Sequence, residues 1–429
     1  MKTVMLRKRD AATVMLLLSL FISACESPVT PEPPTEGNVK VAAAEIQRET
    51  NPDVAADDLS SAAMGQNAFA FDLYQAIRES DENLFYSPYS ISVALAMTYA
   101  GTQGDTAQQM AEVLHYELPQ DRLHPAMNAL AQSLTNQEGL TLTVANSLWA
   151  QGDYAFLDAF LETLARNYGA GVRIVDYVDP VAREEARQAI NDWVLDETDG
   201  KVEELILEDM LTDLTRLVLA NAIAFEADWE DPFRHGTEDD TFYLPDGTEV
   251  TVPMMARRAT TLHAETERYQ AVDLPYKGDR MHMMVLVPAE GEFEEIEAEL
   301  DAGLAQTLID STEAKDVKLY MPKFSYDARL ALKDILIDLG MIDAFDPDLA
   351  DLSGMDGTTR LYISHVAHKA FVSVDEEGTE AAAATGVVVA EESMPLMVRV
   401  ERPFIYFIYD TELDVILFVG RVLNPAMSG

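Results

Sequence analysis

Residues 371–386 read "FVSVDEEGTEAAAATG", and the chain runs on through "VVVAEESMP" to Pro395. The stretch opens like a strand. Four consecutive alanines at 381–384 are then the strongest helix formers available, yet Gly378 precedes them, Gly386 follows, and Val387, Val388 and Val389 favour extended backbone. Four residues fall far short of the roughly 12 that an isolated helix needs in water. A short surface helix over 380–385 is the local alternative, but the flanking glycines and valines oppose its extension. Local propensity therefore gives this stretch no settled conformation, and its purpose has to be sought in the rest of the chain.

That chain has the balance of a soluble globular protein with a large core, 48% hydrophobic and 24% charged. Its net charge is −45, from 75 acidic residues against 30 basic ones. Such a surface repels nucleic acid and anionic lipid headgroups. The acidic residues are spread along the whole sequence, which fits a strongly solvated, halophilic type of surface better than one acidic docking site for a basic partner.

Residues 1–25, "MKTVMLRKRDAATVMLLLSLFISAC", place Lys2, Arg7, Lys8 and Arg9 before an apolar run too short to span a bilayer comfortably. This is the pattern of an export signal. Its end, Ile22-Ser23-Ala24-Cys25, resembles the bacterial lipobox, which implies cleavage after residue 24 and a lipid on Cys25. Cys25 is the one cysteine of the chain, so no internal disulfide can form. Residues 25–62 are acidic and Pro-rich with few large apolar side chains, and are expected to be a disordered tether. The localisation implied is an exported protein, lipid-anchored to a bacterial membrane and facing periplasm or exterior.

From residue 63 to 429 no second linker, repeat or long apolar segment interrupts the chain, so a single domain is expected. Helical spacing appears in 64–80, 90–116 and 183–202, the last stopped by Gly200. Strand patterns appear in 215–229, 282–289, 316–328, 369–376, 402–410 and 415–423. The two kinds are intermixed without regular alternation, which predicts an α+β fold.

Catalytic spacing is missing: no Gly-x-Ser-x-Gly elbow, no phosphate-cradling glycine loop and no His-Glu-x-x-His. His365 and His368 lie in a strand pattern with no further ligand at metal spacing, and read as packed or hydrogen-bonded histidines. A hydrolase thus has no supporting motif, and the chain is not expected to be an enzyme.

With "FVSVDEEGTEAAAATG" stand other segments in a fixed order: "NLFYSPYSISVALAMTYAGTQGDTAQQM" (83–110), "INDWVLDETDGKVEELI" (190–206), "LVLANAIAFEADWEDPF" (217–233), "VDLPYKG" (272–278), "YMPKFSYDARLALKDILIDLGMIDAF" (320–345) and "RPFIYFIYD" to "VGRVLNP" (402–425). Together they resemble the serpin family, serine protease inhibitors, over nearly all of residues 63–425. The resemblance implies three β-sheets, eight or nine helices, a metastable five-stranded central sheet and an exposed reactive-centre loop. It implies a loop hinge at Glu376, Glu377, Gly378, Thr379, Glu380, Ala381, Ala382, Ala383, Ala384 and Thr385. Ser87, Pro88, Ser90, Asn221 and His368 match the shutter where two central strands part, and Trp229 matches the breach above it. Ser87 and Ser90 also suit helix capping, and Trp229 suits plain core packing.

In the family a protease cleaves the loop, and the freed end enters the central sheet as an extra strand, an established example of strand addition. As an inserted strand, Thr379, Ala381, Ala383 and Thr385 would share the buried face, and none carries a charge; Glu376 and Glu380 would keep to the accessible side. Family spacing places the scissile bond between Glu392 and Ser393. A Glu there implies a target with a cation-lined pocket, a glutamyl-specific serine endopeptidase. Glu391 allows a one-residue shift, and Val389 or Ala390 would suit an elastase-like or subtilisin-like enzyme. The expected partners are that protease, in a covalent 1:1 complex with a monomeric chain, and the membrane through Cys25; no cofactor, metal or nucleic acid is expected. A non-inhibitory serpin that binds or chaperones other molecules is the alternative.

Overall fold

Strand Leu217–Asp228, "LVLANAIAFEAD", is buried along almost its whole length because it lies mid-sheet with packed layers on both faces. Its period of two is visible in the packing. Val218, Ala220 and Ala222 meet Ile190 and Val194 of helix Pro180–Glu197 in one cluster, whereas Leu217, Leu219, Ile223 and Phe225 join the main core on the other side. The computed structural model describes residues 35–36, 39–135, 140–379 and 394–427. The export signal, Cys25 and the tether as far as residue 34 lie outside the described residues.

The sheet built on this strand runs in the order Thr35–Glu36, Val39–Ala42, Val172–Val175, Leu140–Gln151, Leu217–Asp228, Ile363–Val374, Phe324–Ala331, with Gly378–Thr379 also paired to Leu217–Asp228. Strands Leu217–Asp228 and Ile363–Val374 are parallel neighbours, while Leu140–Gln151 pairs antiparallel on the opposite edge. A second network runs Leu396–Arg399, Glu313–Pro322, Glu249–Glu265, Tyr269–Pro275, Met281–Pro288, Phe404–Asp410, Val415–Val422, Leu84–Tyr86. It divides at the 17-residue strand Glu249–Glu265, whose early part pairs with Thr237–Tyr243 and whose end pairs with Tyr269–Pro275. Two sheets thus share one strand and, with the first network, make three. Ten α-helices occur among the described residues, and three of them have seven residues or fewer. The class is α+β.

The expected helix over 90–116 is two, Pro88–Tyr99 and Gly104–Val113. The expected helix over 183–202 begins earlier, at Pro180: Asp179 accepts the amides of Val181 and Ala182, capping it, and Pro180 supplies a preset first turn.

The expected boundary of the tether at residue 62 needs correction. Helix Ala56–Ile77 begins six residues before it, and Val39–Ala42 pairs antiparallel with Val172–Val175, with Thr35–Glu36 paired on its outer side. The reason is an open edge whose backbone groups need partners, which the short "VKVA" supplies with Val41 buried. Gly171 permits the approach, since a Cβ there would stand 2.5 Å from the Ala42 carbonyl oxygen. Beyond the strand, the Glu49 amide donates to the Arg166 carbonyl at 2.8 Å, and Arg48 donates to Asn128 at 2.9 Å. No composition signal marks so short a strand between polar flanks.

Candidate functional site: the parting of the central strands

The N-terminus of helix Pro88–Tyr99 points at the two central strands. Ser87 is its N-cap: the Ser87 Oγ accepts the Ser90 amide at 3.1 Å, with Pro88 at the first helical position. The Ser87 amide is turned outward and donates to His368 Nε2 at 3.2 Å. His368 faces Asn221 directly across the parallel ladder, and its Nδ1 meets Asn221 Oδ1. The Asn221 amide nitrogen donates in turn to the Ser90 carbonyl at 3.0 Å, and also contacts Ser90 Oγ and Asn146 Oδ1.

All four residues of this ring, Ser87, Ser90, Asn221 and His368, are fully buried. The partners fix the tautomer: His368 is neutral, donates from Nδ1 and accepts at Nε2. Burial pushes its pKa down to about 3. Two strands and a helix N-terminus are therefore joined by a single polar relay in a dry place. The capping role and the place between the strands coexist in Ser87. Asn146 was not foreseen; only the register of Leu140–Gln151, which sets it opposite Asn221, brings it here. His365 stands three residues before His368, on the other face of the strand.

Higher in the sheet the two central strands separate. Ladder pairing between Ile363–Val374 and Leu217–Asp228 ends at Phe371 and Ala224. At the top of the gap the chain after Val374 turns back, and Gly378 and Thr379 pair antiparallel with Asp228 and Ala227. Asp375 makes the turn: its carboxylate accepts the Glu377 amide at 2.9 Å and its own amide donates to the Gly378 carbonyl at 2.9 Å. A Cβ on Gly378 would lie 2.1 Å from the Ala227 carbonyl oxygen, so the pairing requires glycine.

Trp229 is fully buried beside this turn. Its amide donates to the Glu377 carbonyl at 2.8 Å, and its indole Nε1 donates to the Asp375 carbonyl at 3.0 Å. Its ring stacks on Tyr276 at 4.4 Å with planes 11° apart. Core packing and contact with the loop root are thus one arrangement. Thr379 is buried, and its hydroxyl lies 2.9 Å from that of Tyr276.

Glu376, just before the paired residues, is half-buried. Its carboxylate accepts from Lys323 Nζ at 2.6 Å and from the Thr237 hydroxyl at 2.5 Å, with the side chain 30% exposed. Burial alone would raise its pKa; the Lys323 and Thr237 hydrogen bonds outweigh that and hold the carboxyl below its usual range. Sequence reasoning missed Tyr276, Lys323, Thr237 and Asp375 as partners of the hinge. Tyr276 and Lys323 did stand inside "VDLPYKG" and "YMPKFSYDA", but nothing local tells which side chains there face the loop. Of the hinge, Glu380 to Thr385 lie outside the described residues, as do the bait candidates Val389, Ala390, Glu391, Glu392 and Ser393.

The family model for "Serpin (serine protease inhibitor)" matches residues 64–425. The chain is 39% identical over 367 residues to an uncharacterized serpin-like protein of Thermococcus kodakarensis, covering 84% of each. It is 35% identical over 389 residues to the human leukocyte elastase inhibitor, covering 86% of this chain and 100% of that one. Among solved structures it is similar to tengpin, a thermophilic serpin in its native state, with a TM-score of 0.81 at 29% identity and coverage of 90% of this chain and 99% of the other. The chain belongs to the serpin family, a family of serine protease inhibitors and not of catalysts.

Proposed function

We propose that the protein is a suicide-substrate inhibitor that traps a serine endopeptidase as a covalent 1:1 acyl-enzyme. The observation that supports this reading is the seat of Gly378–Thr379. The loop root is already an antiparallel partner of Leu217–Asp228, at the mouth of the gap between the two central strands. A chain freed by cleavage would continue from Thr379 down that gap, each added residue gaining ladder hydrogen bonds. From Thr379 to Glu392 the inserted strand would reach about 45 Å at ~3.3 Å per residue. An ester-linked protease would be dragged that far, and loss of its oxyanion-hole geometry would stop deacylation.

The bait is Glu392-Ser393 and the target a glutamyl-specific enzyme, whose pocket must supply the cation that a desolvated glutamate requires. Cleavage after Glu391, Ala390 or Val389 would mark a shifted register or an elastase-like or subtilisin-like target. The acidic surface suits high salt, and export with a lipid on Cys25 would hold the inhibitor at a membrane.

The test is incubation with a panel of serine endopeptidases, followed by denaturing electrophoresis and mass spectrometry of the released peptide. A detergent-resistant 1:1 complex and a cut after Glu392 are expected. Cleaved chain beside undiminished protease activity would replace this reading with that of a non-inhibitory serpin. For the anchor, a Cys25→Ser variant is expected in the soluble fraction after expression with its leader; retention in the membrane would reject lipidation at that thiol.

A further inference from the structure

Trapping is a race. The acyl-enzyme is either hydrolysed, releasing active protease, or carried off as the loop inserts, so the steps that begin insertion decide how many inhibitors are spent per protease trapped. Beginning a new strand pair is the slow part, because ordering the first residues costs chain entropy before the ladder returns it.

In this protein the first pair exists before any cut. Gly378 and Thr379 are in register with Asp228 and Ala227, and Thr379 is 1% exposed. A two-residue strand has little to hold it, so its side-chain attachment matters. Thr379 Oγ1 lies 2.9 Å from the Tyr276 hydroxyl, and both side chains are buried. Tyr276 itself is fixed from every side. Its amide donates to the Met281 carbonyl at 2.9 Å, and the next amide, of Lys277, donates to the Asp228 carbonyl at 2.8 Å. Its ring lies flat on Trp229 and edge-on to Phe225, 5.1 Å between centroids. Burial pushes the phenol pKa far up, so the hydroxyl keeps its proton at any working pH. Among the described residues its hydrogen-bond partner is Thr379. If the hinge withdrew, that hydroxyl would stay behind in a dry pocket without a partner, which is unfavourable.

We infer that Tyr276 is a positioning residue for protease trapping: its hydroxyl anchors Thr379 in the gap, so that insertion starts from a formed strand pair. The inference rests on the inhibitory reading above. It gives a residue outside the loop a role in the ratio of trapping to turnover, and makes Trp229, stacked on the anchor, a reporter of the hinge.

The experiment is a comparison of wild type with Tyr276→Phe, Thr379→Val and Thr379→Ser, measuring inhibitor consumed per protease trapped and tryptophan emission of the uncleaved protein. Loss of either hydroxyl is expected to raise the stoichiometry at least about twofold and to shift the emission, whereas Thr379→Ser keeps the hydrogen bond and stays at the wild-type values. Two variants attack the same bond from opposite ends, so poor folding of one leaves the other decisive. Wild type that traps protease together with unchanged Tyr276→Phe and Thr379→Val would overturn the anchor alone. Wild type that forms no complex would overturn the inhibitory reading, and the anchor's role with it.

Discussion

His368 Nε2 accepts the amide of Ser87 at 3.2 Å, so one imidazole lone pair holds the start of helix Pro88–Tyr99 against the parting strands. Protonating that nitrogen would remove the acceptor and set a charge in a dry site. The folded pKa is about 3, below the ordinary histidine value of 6.5. The unfolded chain therefore binds the extra proton first as pH falls, and this residue's share of stability is whole above about pH 6.5 and drains between there and pH 3. His124, pushed down to about 4 by burial, acts with the same sign. The difference between wild type and His368→Gln isolates the site. Unfolding free energy is expected to fall with a slope steeper by about 1.4 kcal/mol per pH unit in wild type between pH 6 and 4. Parallel pH profiles for the two proteins would contradict the relay.

Gly378→Ala places a methyl against the Ala227 carbonyl and the Asp228 Cα, both backbone atoms that cannot step aside. The strand pair must shift or leave, at a cost of roughly 1–3 kcal/mol. A melting temperature several degrees lower for the uncleaved protein is expected by calorimetry. Full wild-type stability would mean that the hinge does not sit between these strands.

Thr379→Arg would put a long cation where a side chain 1% exposed now stands beside Tyr276. Desolvating it without a carboxylate partner is too costly for the first inserted position. The variant is expected to be cleaved by the target protease without forming the resistant complex. Trapping at the wild-type ratio would refute the account of the buried face.

Cleavage of the loop with the chain otherwise intact should free residues 380–392 to extend the ladder begun by Thr379. A dozen added strand residues contribute several kcal/mol net, enough to raise the melting temperature by roughly 10 °C or more in a domain of this size. Differential scanning calorimetry before and after limited proteolysis gives the answer, and an unchanged transition would speak for a non-inhibitory serpin.

With a net charge of −45 the folded chain repels itself at low ionic strength. Salt shortens the screening length from about 10 Å at 0.1 M to about 3 Å at 1 M. Stability is expected to climb steadily over that range of potassium chloride. A flat or falling profile would remove the case for a high-salt surface.

Much of this was legible in the residues. The apolar run in "LVLANAIAFEAD" foretold a strand, and the Ser-Pro pair at 87–88 suited a capped helix start. Both are local patterns that act through side-chain direction and backbone geometry, which the sequence carries on its own. The strand Val39–Ala42 was not legible, because its stability comes from pairing with Val172–Val175 more than from its own four residues. Likewise "VDLPYKG" carried part of the family resemblance, but did not tell that its tyrosine would reach Thr379, 103 positions further on.

The order of segments, with the unsettled stretch at 371–395 among them, pointed to the family and the class of fold. Tertiary structure decided where Thr379 sits, pairing it with Ala227 and setting its hydroxyl against that of Tyr276. The division has a physical cause. Propensity and polarity are properties of neighbours in the chain, whereas the seat of Thr379 depends on a buried hydroxyl at the end of another strand.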